Sequence, residues 1–219
     1  MMKFKYIVIV LSLASLLVLY FLSGLSQPTA IPLSKVPINE GKQVVVSGVV
    51  TGYQMTTFGS ELITIRDANS TNTSTITVYV EGTLPVEYGD LVRATGTVQQ
   101  YNNEWEVTVS NPRFVTVLQK WGDRSFPLWQ LAQNPTRYVD TNVNVTGMIE
   151  TLSSVSFNLQ DTAGSCSLSV SCAHSKNSSF MKGDLVAVKA RFLYDQETLS
   201  YTLKVADAAH DITVLGRSS

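Results

Sequence analysis

Residues 44–50 read Val-Val-Val-Ser-Gly-Val-Val, and residues 143–149 read Val-Asn-Val-Thr-Gly-Met-Ile. In both stretches, apolar side chains occupy every second position and a glycine stands at the same place. This alternation is typical of a half-buried β-strand, because successive side chains of a strand point to opposite faces. A glycine inside a strand indicates a sharp bend or a close approach of another backbone. The sequence therefore predicts a bent strand that occurs twice.

Four further pairs of similar segments occur in the same order in both halves of the chain. The tetrapeptide Gly-Asp-Leu-Val occurs at residues 89–92 and again at residues 183–186. The other matched pairs are Ile-Pro-Leu-Ser-Lys-Val at 31–36 with Phe-Pro-Leu-Trp-Gln-Leu at 126–131, Ile-Thr-Ile-Arg-Asp at 63–67 with Phe-Asn-Leu-Gln-Asp at 157–161, and Val-Thr-Val-Leu at 115–118 with Ile-Thr-Val-Leu at 212–215. Ordered self-similarity of this kind predicts a tandem duplication of one module.

Five alternating segments follow one another in the first copy, at residues 44–50, 63–65, 76–80, 92–98 and 105–109. Five short strands with one polar face favour a small closed barrel. We therefore predict an all-β fold of two tandem five-stranded barrels after one N-terminal transmembrane helix, with other helix limited to the two lead-in segments. The predicted domains are a transmembrane anchor or signal at 1–26, a linker at 27–40, a first barrel at 41–118, a linker with a short helix at 119–139, and a second barrel at 140–215.

An uncharged run of 20 residues, 6–25, precedes the first copy. A helix of this length spans about 30 Å, the thickness of a bilayer's hydrocarbon core. Lys3 and Lys5 lie before the run, so the positive-inside rule places the N-terminus in the cytoplasm. A cleaved signal peptide is the alternative. We expect a single-pass protein held in the membrane by residues 6–25, with extracytoplasmic barrels. Four glycosylation sequons are compatible with that location, at Asn69, Asn72, Asn144 and Asn177.

The charge balance shows no overall excess of basic residues. The chain has 16 Lys and Arg against 17 Asp and Glu, a formal net charge of −1. Proteins dedicated to duplex DNA are clearly basic, because they must neutralise closely spaced phosphates. The composition therefore argues against duplex DNA as the ligand.

The order of the motifs resembles that of the OB-fold. The first bent strand, a strand ending in Asp67, a third strand and the Gly-Asp-x-Val-x-x-x-Gly sequence at 89–96 are similar to the anticodon-type and helicase-type OB modules that bind nucleic acid. The resemblance covers residues 41–118 and 140–215. It implies binding of single-stranded nucleic acid or oligosaccharide on the second and third strands of the barrel and the adjoining loops.

A weaker resemblance is to the anchored OB-fold haem chaperone of cytochrome c maturation. It is carried by the N-terminal run and by Val-Glu-Gly-Thr-Leu-Pro at 80–85, which precedes Gly89. That family needs a histidine just after the last strand, and residues 118–124 contain none. His210 of the second copy is predicted to lie within the final strand. We predict no cofactor, and a haem-chaperone-like protein is the least favoured of the alternative functions.

No catalytic or metal-binding residue is predicted. Motifs for a nucleophile, a phosphate loop or a metalloprotease are missing from the sequence, and we expect that the protein is not an enzyme. Cys166 and Cys172 alternate with serines, so both thiols should point inward from one strand at a separation too large for a disulfide. Cys172 and His174 could supply two metal ligands, but no third or fourth ligand is evident.

The predicted ligand-binding residues lie on the first barrel. The ligand face and its loops contain a set of aromatic and basic side chains, namely Tyr53, Phe58, Arg66, Tyr79, Arg93 and Tyr101. Aromatic rings with a guanidinium suit stacking on bases or sugars, whereas Trp105 shares the alternation of Val107 and is assigned to the core. We expect single-stranded nucleic acid or a glycan as the partner. A docking or structural module for a cell-envelope protein is the alternative.

Overall fold

The structure is a computed structural model that describes residues 2–25, 27–68, 74–172 and 180–217. Two α-helices are present, α1 (Met2–Leu25) and α2 (Leu128–Gln133). The described strands are β1 (Thr29–Ala30), β2 (Gln43–Met55), β3 (Glu61–Arg66), β4 (Thr75–Val80), β5 (Leu91–Tyr101), β6 (Glu104–Val109), β7 (Val115–Gln119), β8 (Phe126–Pro127), β9 (Thr141–Leu152), β10 (Ser156–Gln160), β11 (Ser167–Cys172), β12 (Leu185–Asp195), β13 (Ser200–Val205) and β14 (Asp211–Gly216). Short 3-10 helices lie at Leu33–Lys35, Pro37–Asn39, Pro112–Phe114, Trp121–Asp123 and Pro135–Arg137.

The strands form two sheets, one from each copy of the repeat. The first sheet has the order β1-β2-β3-β4-β6-β5-β7, and β2 also pairs with β5. This extra pairing closes five strands into a barrel in which β4 and β6 run parallel. The order is that of the five-stranded Greek-key OB barrel. The second sheet repeats the same order from β8 to β14, with a pairing between β9 and β12 in the equivalent place.

The repeated Gly-Asp pairs form the same turn in both copies. Gly89 and Gly183 each have a φ of 91°, a conformation that L side chains avoid. Their N–H groups donate to the carbonyls of Val50 (2.8 Å) and Ile149 (2.7 Å). The aspartate that follows is buried in both copies and accepts the N–H of the residue three positions before it, at 3.0 and 2.9 Å. The sequence motif therefore encodes a turn that holds the fourth barrel strand against the first.

Apolar residues of the alternating pattern fill each barrel. The lead-in segments add to the two cores, because Leu33 and Val36 are buried in the first barrel and Leu128 and Leu131 in the second. Ahead of these residues, β1 and β8 each pair in parallel with the first long strand of the adjoining barrel. The lead-ins therefore pack as parts of the barrels they precede.

The membrane prediction is wrong. Within the described residues, none of the helices combines the length and the hydropathy that a membrane crossing requires. The expected transmembrane helix and the single-pass localisation with extracytoplasmic barrels are therefore contradicted, and a membrane partner through residues 6–25 has no support.

The predicted sequons and thiols are only partly within the described residues. Three sequons, Asn69, Asn72 and Asn177, lie outside them. Asn144 is buried and its Nδ2 donates to the Gly122 carbonyl at 3.1 Å, so it is not a surface acceptor in the folded chain. Cys166 and Cys172 form no disulfide, and both pack against the second core. Cys172 is buried at the end of β11, as the alternation predicts, whereas Cys166 lies one residue before that strand and is half-buried.

Candidate ligand-binding groove

A groove of about 880 Å³ lies on the first barrel, over the ends of β2 to β6. Its walls come from the end of β2, the β2–β3 loop, β3, β4 and the β5–β6 hairpin. These elements are the face and loops that OB barrels use to bind oligonucleotides and oligosaccharides. The volume lies within the range of roughly 300–1,000 Å³ typical of ligand pockets.

Four predicted aromatic residues line this groove together, namely Tyr53, Phe58, Tyr79 and Tyr101. Phe58 is 94% exposed and Tyr101 is 63% exposed, although both are large and apolar. An exposed ring at a loop tip contributes little to a core, and it is free to stack on a ligand. The structure therefore brings together the aromatic part of the predicted site.

Hydrogen bonds hold two of these rings in place. The Tyr53 hydroxyl donates to Glu61 Oε1 at 2.7 Å, and Glu61 Oε2 accepts the Leu84 N–H at 2.9 Å. The bond to the Glu61 carboxylate, followed by desolvation, raises the pKa of Tyr53 above its ordinary value. The Tyr79 hydroxyl donates to Ser60 Oγ at 2.9 Å. Both phenol rings are thus oriented before any ligand arrives, which lowers the entropic cost of binding.

Two further aromatic residues of the groove were not predicted. Trp105 is half-buried, packs against the first core and also lines the groove. Its alternation with Val107 was interpreted correctly as inward-facing, but Trp105 lies near the end of the strand, where the barrel opens to the groove. Tyr88 is the second addition, and the Arg191 guanidinium lies over its ring at 3.6 Å from the centroid. The position of Tyr88 just before the Gly89 turn was the signal that could have identified this residue from the sequence.

The groove carries no basic side chain among its described lining residues, whereas Glu104 and Glu106 are both present. Glu106 is buried, and Gln99 Nε2 donates to its Oε1 at 2.6 Å, which satisfies part of that carboxylate. Amide and hydroxyl groups supply the remaining polar lining. The electrostatic character of the groove is therefore neutral to negative.

The predicted basic residues lie elsewhere. Arg66 faces outward from β3, but its Nη2 donates to the carbonyls of Arg137 (2.7 Å) and Val139 (3.0 Å), outside the groove. Burial there lowers the pKa of Arg66, and the nearby Asp140 carboxylate offsets part of that effect. Arg93 is exposed on β5, between Ser47 and Thr116 of the neighbouring strands, and it too lies outside the groove.

His210 has a structural environment. It is buried just before β14, its Nδ1 accepts the N–H groups of Ala206 and Asp207 at 3.2 Å, and its Nε2 lies 3.1 Å from Asn142 Oδ1. Its ring packs edge-on against Trp121. The part of the chain that the structure describes contains no group of three or more His, Cys, Asp or Glu placed to hold a metal. His174, the other residue considered as a ligand, lies outside that part.

No family of known proteins matches the sequence, and no curated protein is similar to it. Solved structures similar in fold include an OBody bound to hen egg-white lysozyme, at 21% identity and a TM-score of 0.33, which covers 41% of this chain and 93% of that one. The second OB-fold domain of replication protein A from Methanococcus maripaludis is similar at 16% identity and a TM-score of 0.29, over 37% of this chain and 88% of that one.

A Leishmania major protein assigned as an aspartyl-tRNA synthetase is similar at 13% identity and a TM-score of 0.34, over 43% of this chain. The match spans 21% of that synthetase's length. These neighbours are OB-fold proteins, as the sequence motifs predicted. At these identities the likeness is one of fold alone.

Proposed function

We propose that this chain is a binding protein without catalytic activity, and that the groove of its first barrel binds single-stranded nucleic acid by base stacking. The observation that carries the proposal is the convergence of the four predicted aromatic residues, with Tyr88 and Trp105, on one groove at the ligand face of an OB barrel. Each base stacked on an aromatic ring contributes about 1–3 kcal/mol, with little dependence on sequence. We further propose that residues 41–118 and 140–215 are two tandem OB domains, because the strand pairings of the two sheets match.

The charges of the groove require a particular mode of binding. Because Glu104 and Glu106 line it and its described lining has no base, phosphates cannot be neutralised inside it. The bases must therefore stack inward and the phosphates must face solvent. A ligand held in this way releases few counterions, so its affinity should fall only slightly with salt.

An uncharged oligosaccharide is the second candidate ligand. The observation that favours it is the same lining of carboxylates, amides and hydroxyls around aromatic rings, which can accept and donate hydrogen bonds to sugar hydroxyls. An oligosaccharide would gain the stacking energy without placing any negative charge beside the two glutamates. The two ligands differ in charge, and salt dependence separates them.

The test is a titration of the full chain with oligothymidylate and with neutral oligosaccharides at several salt concentrations. Phe58→Ala and Tyr101→Ala should each weaken binding about tenfold or more. Phe114→Ala is the matched control, because Phe114 is also an exposed phenylalanine, at 51%, but lies outside the groove.

Oligonucleotide binding that responds to the groove variants and not to the control supports the nucleic-acid proposal. Oligosaccharide binding with the same response, and no salt dependence, replaces it with the second candidate. Binding of either ligand that is insensitive to both groove variants would refute the assignment of the site.

A further inference from the structure

A second cavity, which we call the inter-barrel cleft, lies where the two barrels and the segment between them meet. Its volume is about 350 Å³. The first barrel contributes Val49 and Arg66, the connecting segment contributes residues from Gln119 to Tyr138, and the second barrel contributes residues 141–143. The cleft therefore exists only when both barrels are folded and in contact.

The inter-barrel cleft is rich in basic side chains. Four basic side chains line it, namely Arg66, Lys120, Arg124 and Arg137, against a single lining carboxylate, Asp67. The whole chain has 16 basic residues and a net charge of −1. A quarter of its basic residues thus face one small cavity, although the protein as a whole is slightly acidic.

Two of the four bases are held by protein groups and form the walls. Lys120 Nζ donates to Asp90 Oδ2 at 2.8 Å and to the Pro85 carbonyl at 2.9 Å. The Arg66 guanidinium is tied by one nitrogen to two backbone carbonyls of the segment before β9. Its remaining N–H groups are not used by those bonds, since a guanidinium has five donors. Arg66 is therefore immobilised while it retains donors and its charge.

Within the described residues, the other two bases are not held by a carboxylate. Arg124 and Arg137 are exposed, and neither forms an ion pair within the described residues. Arg137 lies over the ring of Tyr138, 5.9 Å from its centroid, which steadies its side chain at the rim. Arg124 and Arg137 line the same cavity as the partly buried Arg66, and an anion bound among them would reduce the repulsion between their like charges.

We propose that the inter-barrel cleft binds an anion of the phosphate class, with Arg124 and Arg137 as its principal ligands and Arg66 at the base of the site. Guanidinium groups bind phosphate oxygens through paired, charge-assisted hydrogen bonds, which are stronger than neutral ones. The Gln130 side chain, which also lines the cleft, is a further donor. Occupancy would link the two barrels, because the cleft draws residues from both.

Two sources would supply such a phosphate, namely the backbone of a nucleic acid and free inorganic phosphate. Strand β3 links the cleft to the groove in which a nucleic acid would bind. Thr64 lines the aromatic groove, whereas Arg66, two residues further along the same outward face of β3, lines the cleft. A nucleic-acid strand bound in the groove could therefore extend along β3 and place one of its phosphates in the cleft. Free inorganic phosphate is the other source, and its binding does not depend on the function proposed for the groove.

The test uses isothermal titration of the full chain with inorganic phosphate, and separately with oligothymidylate. Arg124→Gln combined with Arg137→Gln should weaken phosphate binding about tenfold or more, since each change removes a charge-assisted hydrogen bond. Arg93→Gln combined with Arg113→Gln is the control, because it removes the same charge from described residues that lie outside the cleft. Circular dichroism verifies that both variants are folded.

Phosphate binding that is lost in the cleft variant and retained in the control supports a free-phosphate site. If phosphate alone does not bind, but oligothymidylate binding weakens in the cleft variant and not in the control, the site takes a backbone phosphate. If neither ligand distinguishes the two variants, the proposal is overturned. Failure of the groove proposal is seen separately, because Phe58→Ala would then leave oligothymidylate binding unchanged.

Discussion

The buried carboxylate of Asp90 should contribute far more to stability than its counterpart Asp184 in the other copy. Both side chains are at most 1% exposed, and each accepts the N–H of the residue three positions earlier. Asp90 has two additional partners from the connecting segment, the Trp121 N–H at 3.1 Å and Lys120 Nζ at 2.8 Å. The duplication thus supplies a matched pair of aspartates, of which, among the described residues, only Asp90 bonds to the connecting segment.

The magnitude follows from the two additional partners, because the shared hydrogen bond cancels in the comparison. A hydrogen bond to a charged group contributes about 1.5–3 kcal/mol, and the Trp121 N–H is buried, so its loss is not compensated by water. The Lys120 side chain is 40% exposed, so its ion pair is screened and contributes at most about 1 kcal/mol. Asp90→Ala should therefore lower the free energy of unfolding by about 2–4 kcal/mol more than Asp184→Ala.

The assay is urea unfolding of the full chain, followed by far-ultraviolet circular dichroism. The slope of the free energy against urea should stay constant between variants, so that the midpoint reports stability. Lys120→Met isolates the ion pair and should cost about 1 kcal/mol or less. If Asp90→Ala and Asp184→Ala destabilise the protein equally, within about 0.5 kcal/mol, the connector is not held by Asp90 and the reasoning is refuted.

Two further predictions concern Tyr53 and Gly89. Glu61→Gln should lower the raised pKa of Tyr53 toward about 10, because the hydrogen bond to the carboxylate stabilises the protonated phenol. An alkaline ultraviolet titration measures the pKa of the phenol, and a titration curve unchanged by the substitution would contradict the prediction. In the native protein this stabilisation is complete at neutral pH and is lost as the pH rises through the raised pKa. Gly89→Ala should destabilise the protein more than Gly59→Ala, although both glycines have positive φ, at 91° and 80°. At Gly89 the new Cβ would clash with the backbone oxygen of Asn142, whereas at Gly59 it would have nothing within 4 Å. Thermal unfolding measures both variants, and equal losses would contradict the steric argument.

The aromatic part of the candidate site was predictable from the sequence, and the basic part was not. Tyr53, Phe58, Tyr79 and Tyr101 lie on strands and hairpins that the barrel order places side by side, so alternation and topology were sufficient to bring them together. Arg66 was correctly assigned to the outer face of β3. The residues that cover that face are 71 and 73 positions away, in the segment before β9, and no local pattern indicates so distant a contact.

The sequence by itself determined the duplication, the strands, their inward and outward faces and the Gly-Asp turns, because each depends on residues close together in the chain. Only the tertiary structure decided what lies against the outward faces: a groove with carboxylates and no described base on one part of the first barrel, and a cleft with four bases where the two barrels meet. The physical reason is that alternation specifies whether a side chain points away from the core, whereas its neighbours outside the core depend on how the two barrels and the segment between them pack. The distribution of charge over the surface is therefore a property of that packing.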